Sequence, residues 1–128
     1  MKKYSYTKEV NLTFDIAIDT LESELLKEWF WVLSRIDIKS KINEKLWKYF
    51  DDYMVLGACN PELAYQTLQN EIEIWLLLPC NVIVYKKNWK IFISTILPTT
   101  AMEIVNNHNI YNIVTIAEEK LKRAIDAV

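Results

Sequence analysis

Hydrophobic positions recur with two different periods along this chain, and the period separates strands from helices. Apolar and polar residues alternate over residues 3–11, which predicts a half-buried strand. After Thr13, a candidate helix cap, apolar residues recur every three or four positions, which predicts an amphipathic helix that ends near Lys27. The next segment, residues 29–38, is rich in β-branched and aromatic residues and predicts a second strand.

The rest of the chain predicts three more strands and several helices. In order, these are a short helix at 40–47, a strand at 53–59, a helix capped by Asn60, strands at 80–86 and 89–97, a helical piece opened by a capping-box pattern from Thr100 to Glu103, and a final helix from about 113 to 128. The element order is β-α-β-(α)-β-(α)-β-β-α, which favours an antiparallel sheet over βαβ crossovers. We therefore predict an α+β fold with about five strands and the two long helices on one face.

Length and charge limit what the chain can do. Its 128 residues fit one domain, residues 1–128, and 15 Lys+Arg against 17 Asp+Glu give a net charge of −2. Phosphate backbones are bound through surplus positive charge, so we expect no nucleic-acid partner. Because no apolar stretch reaches the ~20 residues that cross a bilayer and no secretory signal is visible, we expect no membrane partner and a cytoplasmic location.

Glycine and histidine are too scarce for several common sites. The only glycine, Gly57, excludes the Gly-rich loops that hold nucleotide phosphates, and we predict no cofactor. The only histidine, His108, lies in a polar run that is typical of an exposed loop. Structural zinc needs four ligands, and His108 with the two cysteines leaves one place unfilled, so we predict no metal site.

Two Cys-Asn dipeptides are the densest chemical signal in the chain. Cys59 precedes Asn60 at the end of the third predicted strand, and Cys80 precedes Asn81 at the start of the fourth. If these strands are antiparallel neighbours, both thiols fall at the same end of the sheet. Cys59 also lies just before a helix N-terminus, whose free amides favour a thiolate.

Two interpretations of the cysteines remain open. In one, Cys59 is a nucleophile, a redox thiol or a soft-metal ligand. In the other, both cysteines pack as small apolar residues, as free cysteines often do. Pro61 removes one amide from the helix end, which weakens the first interpretation.

The aromatic residues of the second strand predict self-association. With strict alternation, Trp29, Trp31 and Leu33 lie on the face opposite the core, and Ile36 lies in the core. An apolar strip of this kind is unfavourable in water, and aromatic residues are enriched in interface cores. A second subunit, a ligand or a loop must cover it, and we favour homo-oligomerisation.

The Cys-Asn motifs and their neighbours resemble a known family. The segments Gly57-Ala-Cys-Asn-Pro61 and Leu76-Leu-Leu-Pro-Cys-Asn81, together with Arg35-Ile-Asp37-Ile38 and Pro98, look like the family called domain of unknown function 302. The resemblance runs from about residue 30 to residue 102. It implies a fold like the TATA-binding-protein half-domain, with β-α-β4-α elements around one curved antiparallel sheet, and no settled biochemical activity.

The resemblance also implies which residues form the site. These are Cys59, Asn60, Pro61, Pro79, Cys80 and Asn81, with Asp37 as an accessory. The chain departs from the family pattern at Trp29 and Trp75, where glycine is typical. Two bulky rings there would fill a small-molecule pocket that relatives keep open.

Two functions from different classes follow. The first is a non-enzymatic cytoplasmic domain that binds an unknown small molecule or assembles, with the Cys-Asn end of the sheet as its site. The alternative is a thiol-dependent enzyme or sulfur carrier that uses Cys59 as nucleophile and Cys80 as resolving thiol. The pKa of Cys59 separates them, because a value at or above the ~8.5 of a free thiol argues against nucleophilic use.

Overall fold

The computed structural model describes residues 3–128 and contains a five-stranded antiparallel sheet. The strands are β1 (Ser5–Val10), β2 (Trp31–Asp37), β3 (Tyr53–Cys59), β4 (Cys80–Lys87) and β5 (Lys90–Ile96). The helices are α1 (Phe14–Lys27), α2 (Ile38–Leu46), α3 (Pro61–Asn70), α4 (Pro98–Ala101) and α5 (Tyr111–Ala127), with 3₁₀ turns at Ile74–Leu76, Met102–Ile104 and His108–Ile110. The predicted α+β class and element order are confirmed.

The strands lie in the order β1-β5-β4-β3-β2, so β4 is central and the first two strands in the chain form the two edges. All neighbouring strands are antiparallel. The long helices α1 and α5 contact each other and pack on one face of the sheet, as predicted. Within residues 3–128, none of the helices has the length and apolar character that a bilayer span requires.

Local sequence signals account for the starts of two helices. The hydroxyl of Thr13 accepts a hydrogen bond of 3.3 Å from the N–H of Ile16, which caps α1. The side-chain oxygen of Asn60 accepts one of 3.1 Å from the N–H of Leu63, and Pro61 occupies the first position of α3. Both caps satisfy amides that would otherwise lack partners.

The core lies between the sheet and its two long helices. Side chains with 1% exposure or less come from both layers: Leu21, Leu25, Leu121 and Ile125 from the helices, and Leu56, Val82, Val84 and Ile93 from the strands. A second buried cluster lies beyond the end of the sheet and contains Ile74, Met102, Ile110 and Val114.

The alternation predicted for β2 is wrong beyond its third residue. The register shifts because Val32 and Ser34 pair with two consecutive residues of β3, which leaves Leu33 as an extra residue. An extra residue inverts the faces of everything after it. Ile36 is therefore 43% exposed on the face away from the helices instead of lying in the core.

The capping box predicted at Thr100 is also wrong. Helix α4 begins two residues earlier, at Pro98, so Thr100 lies inside it rather than before it. Proline favours the first turn of a helix because its φ is already helical and its missing N–H is not needed there. The Thr100 hydroxyl instead donates to the carbonyl of Lys3 at 3.5 Å.

Candidate functional site

The two cysteines lie on neighbouring strands at one end of the sheet. Strands β3 and β4 are antiparallel, and Ala58, the residue just before Cys59, lies directly opposite Cys80. Both cysteines are free thiols with 8% exposure. The strand pairing expected from the sequence therefore brings together two residues that are far apart in the chain.

Asn60 joins two helices at this end of the sheet. Its side-chain oxygen caps α3, and its Nδ2 donates to the carbonyl of Glu28 at 3.4 Å, just after α1 ends. The residue is only 6% exposed. Because the oxygen and the nitrogen of its side-chain amide both form hydrogen bonds inside the protein, Asn60 holds the start of α3 close to the end of α1. It does not present a free polar group. Pro61, which follows, is exposed.

The residues that flank Cys80 differ in their surroundings. Asn81 is exposed and lies opposite Gly57, whereas Pro79 is half-buried. A Cβ atom on Gly57 would lie 2.5 Å from the Oγ of Ser34 and 2.9 Å from the Cγ of Pro79. Such distances are shorter than van der Waals contact, so glycine is required for Pro79 to pack on β3.

Asp37, predicted as an accessory residue, lies outside the site. It pairs with Met54, five residues along β3 from Cys59, which places it roughly 17 Å away at the other end of the strand. Its Oδ1 accepts a hydrogen bond of 3.0 Å from the N–H of Ser40 and caps α2. The sequence motif identifies the aspartate but does not reveal the strand register. The register decides which end of the sheet Asp37 occupies.

An apolar cavity of about 40 Å³ is bordered by both thiols. Other walls come from two helices, through Leu63, Ala64 and Thr67 of α3 and Ile113, Val114 and Ala117 of α5. The Thr67 hydroxyl donates to the carbonyl of Leu63 at 2.7 Å, so its hydrogen is already engaged. The cavity therefore offers a ligand mostly hydrocarbon, together with the sulfur-bearing side chains of Cys59, Cys80 and Met102.

A wider surface groove of about 470 Å³ adjoins the cavity. It is lined by Trp29, Trp31, Pro61, Glu62 and Lys120, and it shares Asn60 and Leu63 with the cavity. The ring centroids of Trp29 and Trp31 are 6.0 Å apart. Both tryptophans are exposed, and so is Leu33, so the predicted oligomer surface is open to solvent and not covered by a loop.

Burial raises the pKa values of both thiols. The pKa of Cys80 rises from 9.0 to about 12, mainly because burial disfavours the thiolate and secondarily because of the nearby Cys59. Burial also raises the pKa of Cys59. Reactive cysteines show the opposite shift, toward values below the free-thiol range.

A known protein family matches the part of the chain that contains this site. The family model described as domain of unknown function DUF302 matches residues 6–128. The chain belongs to this family. The match extends well beyond the region of residues 30–102 in which the sequence motifs lie.

A solved DUF302 structure is similar to the chain over nearly its whole length. The crystal structure of an uncharacterized conserved DUF302 protein from Bacillus stearothermophilus has 27% sequence identity and a TM-score of 0.93, with 98% of each chain covered. No functionally curated protein matches the chain. The fold of this DUF302 protein is therefore shared with that relative.

Metal-ligating side chains are dispersed in this DUF302 protein. Among residues 3–128, no group of three or more His, Cys, Asp or Glu residues is placed to hold a metal ion. His108 is exposed in a 3₁₀ turn and is not part of the cavity wall. Trp75 lines neither the cavity nor the groove, whereas Trp29 forms a wall of the groove.

The residues predicted for the site do not include the residues of α3 and α5 that line the cavity. Ile113 and Ala117 carry a visible signal, since they recur at helical spacing on the apolar side of the last helix. That spacing indicates burial but does not distinguish a cavity wall from a filled core. Leu63 and Thr67, four residues apart on α3, give the same signal more weakly.

Proposed function

We propose that this DUF302 protein is a non-enzymatic binding domain that holds a small, predominantly apolar molecule at the Cys-Asn end of the sheet. The observation that carries the proposal is the apolar cavity bordered by Cys59 and Cys80. Small-molecule sites are typically concave and mostly apolar, with a few placed polar groups. The proposal assigns the protein to the cytoplasm, where reducing conditions keep both thiols free.

The sizes of the two spaces constrain the ligand. The cavity of about 40 Å³ is much smaller than the cavity of about 150 Å³ that accepts benzene in an engineered protein. The groove of about 470 Å³ falls in the range of about 300–1,000 Å³ that is typical of ligand sites. Because the two spaces share Asn60 and Leu63, the ligand would lie in the groove and direct one slim apolar group toward the cavity.

The charges around the groove favour a neutral ligand. Glu62 and Lys120, which line it, have opposite signs. The Nζ of Lys120 lies 4.0 Å from the Oε1 of Glu28, so part of its charge is already compensated. A strongly charged ligand would gain little net attraction here, whereas an apolar chain would gain from burial.

The thiol-enzyme alternative receives less support. Nucleophilic use of Cys59 calls for a lowered pKa and a base within reach, but burial raises the pKa of both Cys59 and Cys80. His108 does not line the cavity. The raised pKa values instead suit thiols that serve as wall atoms.

A titration with 1-hexanol tests the binding proposal, because this probe has an apolar chain and one small polar end. We expect saturable NMR shifts at the methyl groups of Leu63 and Val114, which line the cavity. Absence of saturable shifts up to the solubility limit of 1-hexanol would contradict the proposal.

Two alanine-to-leucine variants provide the matched comparison. Ala117→Leu adds bulk to the cavity wall and should abolish the shifts, whereas Ala127→Leu adds the same bulk at an exposed position near the end of α5 and should leave them unchanged. Equal shifts in both variants would show that hexanol binds somewhere other than the cavity.

A further inference from the structure

The face of the sheet opposite α1 and α5 carries a row of stacked aromatic rings. Tyr53, Tyr85 and Phe92 are cross-strand neighbours on β3, β4 and β5. The ring centroids lie 5.6 Å apart between Tyr53 and Tyr85 and 5.3 Å apart between Tyr85 and Phe92. Phe50 extends the row, with its centroid 6.1 Å from that of Tyr53. These four residues form the aromatic row.

Aliphatic side chains widen the aromatic row into a patch. Val55 pairs with Ile83 on one side and with Ile36 on the other, and all three lie on the same face as the row. Ile36 and Phe50 are each 43% exposed, and the other five residues of the patch are half-buried without belonging to either buried cluster of the described chain. Antiparallel sheets that face water normally carry polar residues on that side. Contiguous apolar patches usually mark a contact surface.

The position of the aromatic row suits a second copy of the same chain. In a two-fold dimer one patch faces its own copy. Strand β4 is the central strand, so the row is centred near Tyr85. A two-fold axis that passes between the two sheets at Tyr85, parallel to β4, would bring Tyr53 of one copy to Phe92 of the other, and aromatic rings would meet aromatic rings across the interface.

The charges beside the patch also favour a second copy over a charged partner. Glu9 lies 3.7 Å from Lys90, and Lys39 lies 3.3 Å from Asp52, so charges of both signs occur beside the patch. Lys87, two residues after Tyr85 on the same face, adds one positive charge at its end. Nucleic acids and anionic membranes require a larger surplus of positive charge. A patch bordered by charges of both signs is compatible with itself.

We propose that the aromatic row and its aliphatic neighbours form the contact surface of a homodimer in which the two sheets pack face to face. This interface differs from the Trp29, Trp31 and Leu33 surface suggested by the sequence. Each sheet then covers the face of the other that α1 and α5 leave open. Packing against another layer is the usual way in which a sheet buries an apolar face. Dimerisation is independent of the ligand proposal and is measured separately from hexanol binding.

Sedimentation equilibrium tests the dimer. We expect the wild-type chain to sediment as a dimer and Tyr85→Lys to raise the dissociation constant by at least about tenfold, because a buried charge would be left without a partner. Tyr65→Lys is the matched control, since Tyr65 is 59% exposed on α3, away from the patch. Circular dichroism verifies that each variant folds, and Ile83→Lys replaces Tyr85→Lys if the latter does not.

Two outcomes would overturn the dimer proposal. One is a wild-type chain that stays monomeric over the whole accessible concentration range, which would leave the face for a different occupant. The other is dissociation by Tyr65→Lys to the same extent as by Tyr85→Lys, which would place the interface elsewhere.

A second, independent inference comes from the backbone of the tryptophans. Within residues 3–128, five residues other than glycine have positive φ, and two of them are asparagines, which tolerate this conformation. The other three are Trp29, Trp47 and Trp89, with φ of 65°, 56° and 66°. A bulky side chain is strained there because its Cβ approaches the following carbonyl oxygen.

Each of these tryptophans occupies a position that normally takes glycine. Trp29 follows the cap of α1, where its N–H donates to Leu26 and that of Phe30 donates to Leu25, the pattern of a glycine-terminated helix. Trp47 ends α2 in the left-handed conformation. Trp89 is the second residue of the Asn88-Trp89 turn between β4 and β5, where Asn-Gly is preferred.

The tryptophan rings gain little in exchange for this strain. Trp29, Trp47 and Trp89 are 64%, 90% and 89% exposed and lie in three separate parts of the molecule. Trp89 has one cation–π contact with Lys86 at 4.8 Å, which is weak at an exposed site. What the three share is a backbone conformation, not a location, so a common binding role does not explain them.

The amino-acid composition also points to glycine at these positions. The chain has 1 glycine and 5 tryptophans in 128 residues, whereas an average composition of about 7% glycine would give about nine. The codon TGA means tryptophan in some genetic codes and glycine in others. We infer that positions 29, 47 and 89 are encoded by TGA and carry glycine in the protein made by the source cell. Glycine at position 29 would remove one wall of the groove and widen the approach to the cavity.

The gene and the native protein test this inference together. We expect TGA codons at 29, 47 and 89, and peptides from the native protein that are lighter at each position by the difference between tryptophan and glycine. TGG codons there, or peptides with tryptophan masses, would overturn it. The same data show what is encoded at Trp31 and Trp75, whose φ is not positive.

Stability of the recombinant tryptophan form tests the backbone argument by itself. Trp29→Gly, Trp47→Gly and Trp89→Gly should each raise the melting temperature, by roughly 3–6 °C, because strain is relieved at an exposed site. Trp31→Gly is the control, since this residue lies in β2 where glycine weakens a strand, and it should lower the melting temperature. A lower melting temperature for all four variants would contradict the strain argument.

Discussion

The central strand β4 meets opposite surroundings on its two sides. Val82 and Val84 are fully buried against the helices, whereas Ile83 and Tyr85, which alternate with them, lie on the face that α1 and α5 do not cover. The two sides are almost equally apolar in sequence. A strand can therefore be apolar on both sides although its own chain covers only one of them with helices.

The largest expected difference between the faces comes from truncating neighbouring residues of β3. Leu56 is fully buried on the covered face, so Leu56→Ala should lower the free energy of unfolding by about 2–5 kcal/mol. Val55→Ala, on the other face, should lower it by less than about 1 kcal/mol in the dilute monomer. Urea unfolding at low protein concentration measures both, and equal losses would mean that the free face is covered within one chain.

The covered side should also control stability at high pH through Cys80. The thiol of the unfolded chain ionises near pH 9, but burial keeps the folded thiol protonated up to a pKa of about 12. The unfolded state therefore binds fewer protons between these values, and stability should fall with rising pH by about 1.4 kcal/mol per pH unit.

The Cys80→Ala variant isolates this contribution. Its stability should depend less steeply on pH between 9 and 12 than that of the wild-type protein, and the two slopes should agree below pH 9. Identical slopes above pH 9 would mean that Cys80 is not held in its neutral form by burial.

Gly57 marks the place where the free side of β3 is closely covered by its own chain. Gly57→Ala should lower the free energy of unfolding by about 1–3 kcal/mol, because the new methyl group would overlap the Oγ of Ser34 and the Cγ of Pro79. Adding Ser34→Ala should recover part of that loss by removing the nearer atom. An unchanged urea midpoint in Gly57→Ala would show that Pro79 does not pack tightly there.

A small effect is also expected for a hydrogen bond on the free face. The Oγ atoms of Thr7 and Ser94 lie 2.7 Å apart between β1 and β5. Ser94→Ala should lower the free energy of unfolding by about 0.5–1.5 kcal/mol, since water can replace the lost partner of Thr7. A loss above about 3 kcal/mol, measured by urea unfolding, would show that this side is sealed from water.

The elements that sequence predicts best are those with local causes. The bounds of β3 and the cap at Asn60 follow from residues next to them in the chain, and both are confirmed. The faces of β2 depend on how Val32 and Ser34 pair with β3, and the bulge at Leu33 has no signal in its own sequence. Alternation alone therefore gives the wrong side for Ile36.

The candidate site follows the same division. Antiparallel pairing is enough to predict that Cys59 and Cys80 share one end of the sheet. It is not enough to exclude Asp37, whose position depends on strand register, or to find Ala117 of α5, which lines the cavity. Contacts between remote elements arise from packing, and a single sequence does not encode their geometry in a readable pattern.

The ionisation of Cys59 tests most directly whether this end of the sheet binds or reacts. The alkylation rate of Cys59 by iodoacetamide, followed against pH in a Cys80→Ala variant, reports the pKa of that one thiol. Burial predicts a midpoint above the ordinary pKa of a cysteine thiol for Cys59. A midpoint below about 7.5 would reveal an activated thiolate and would contradict the binding account in favour of thiol chemistry.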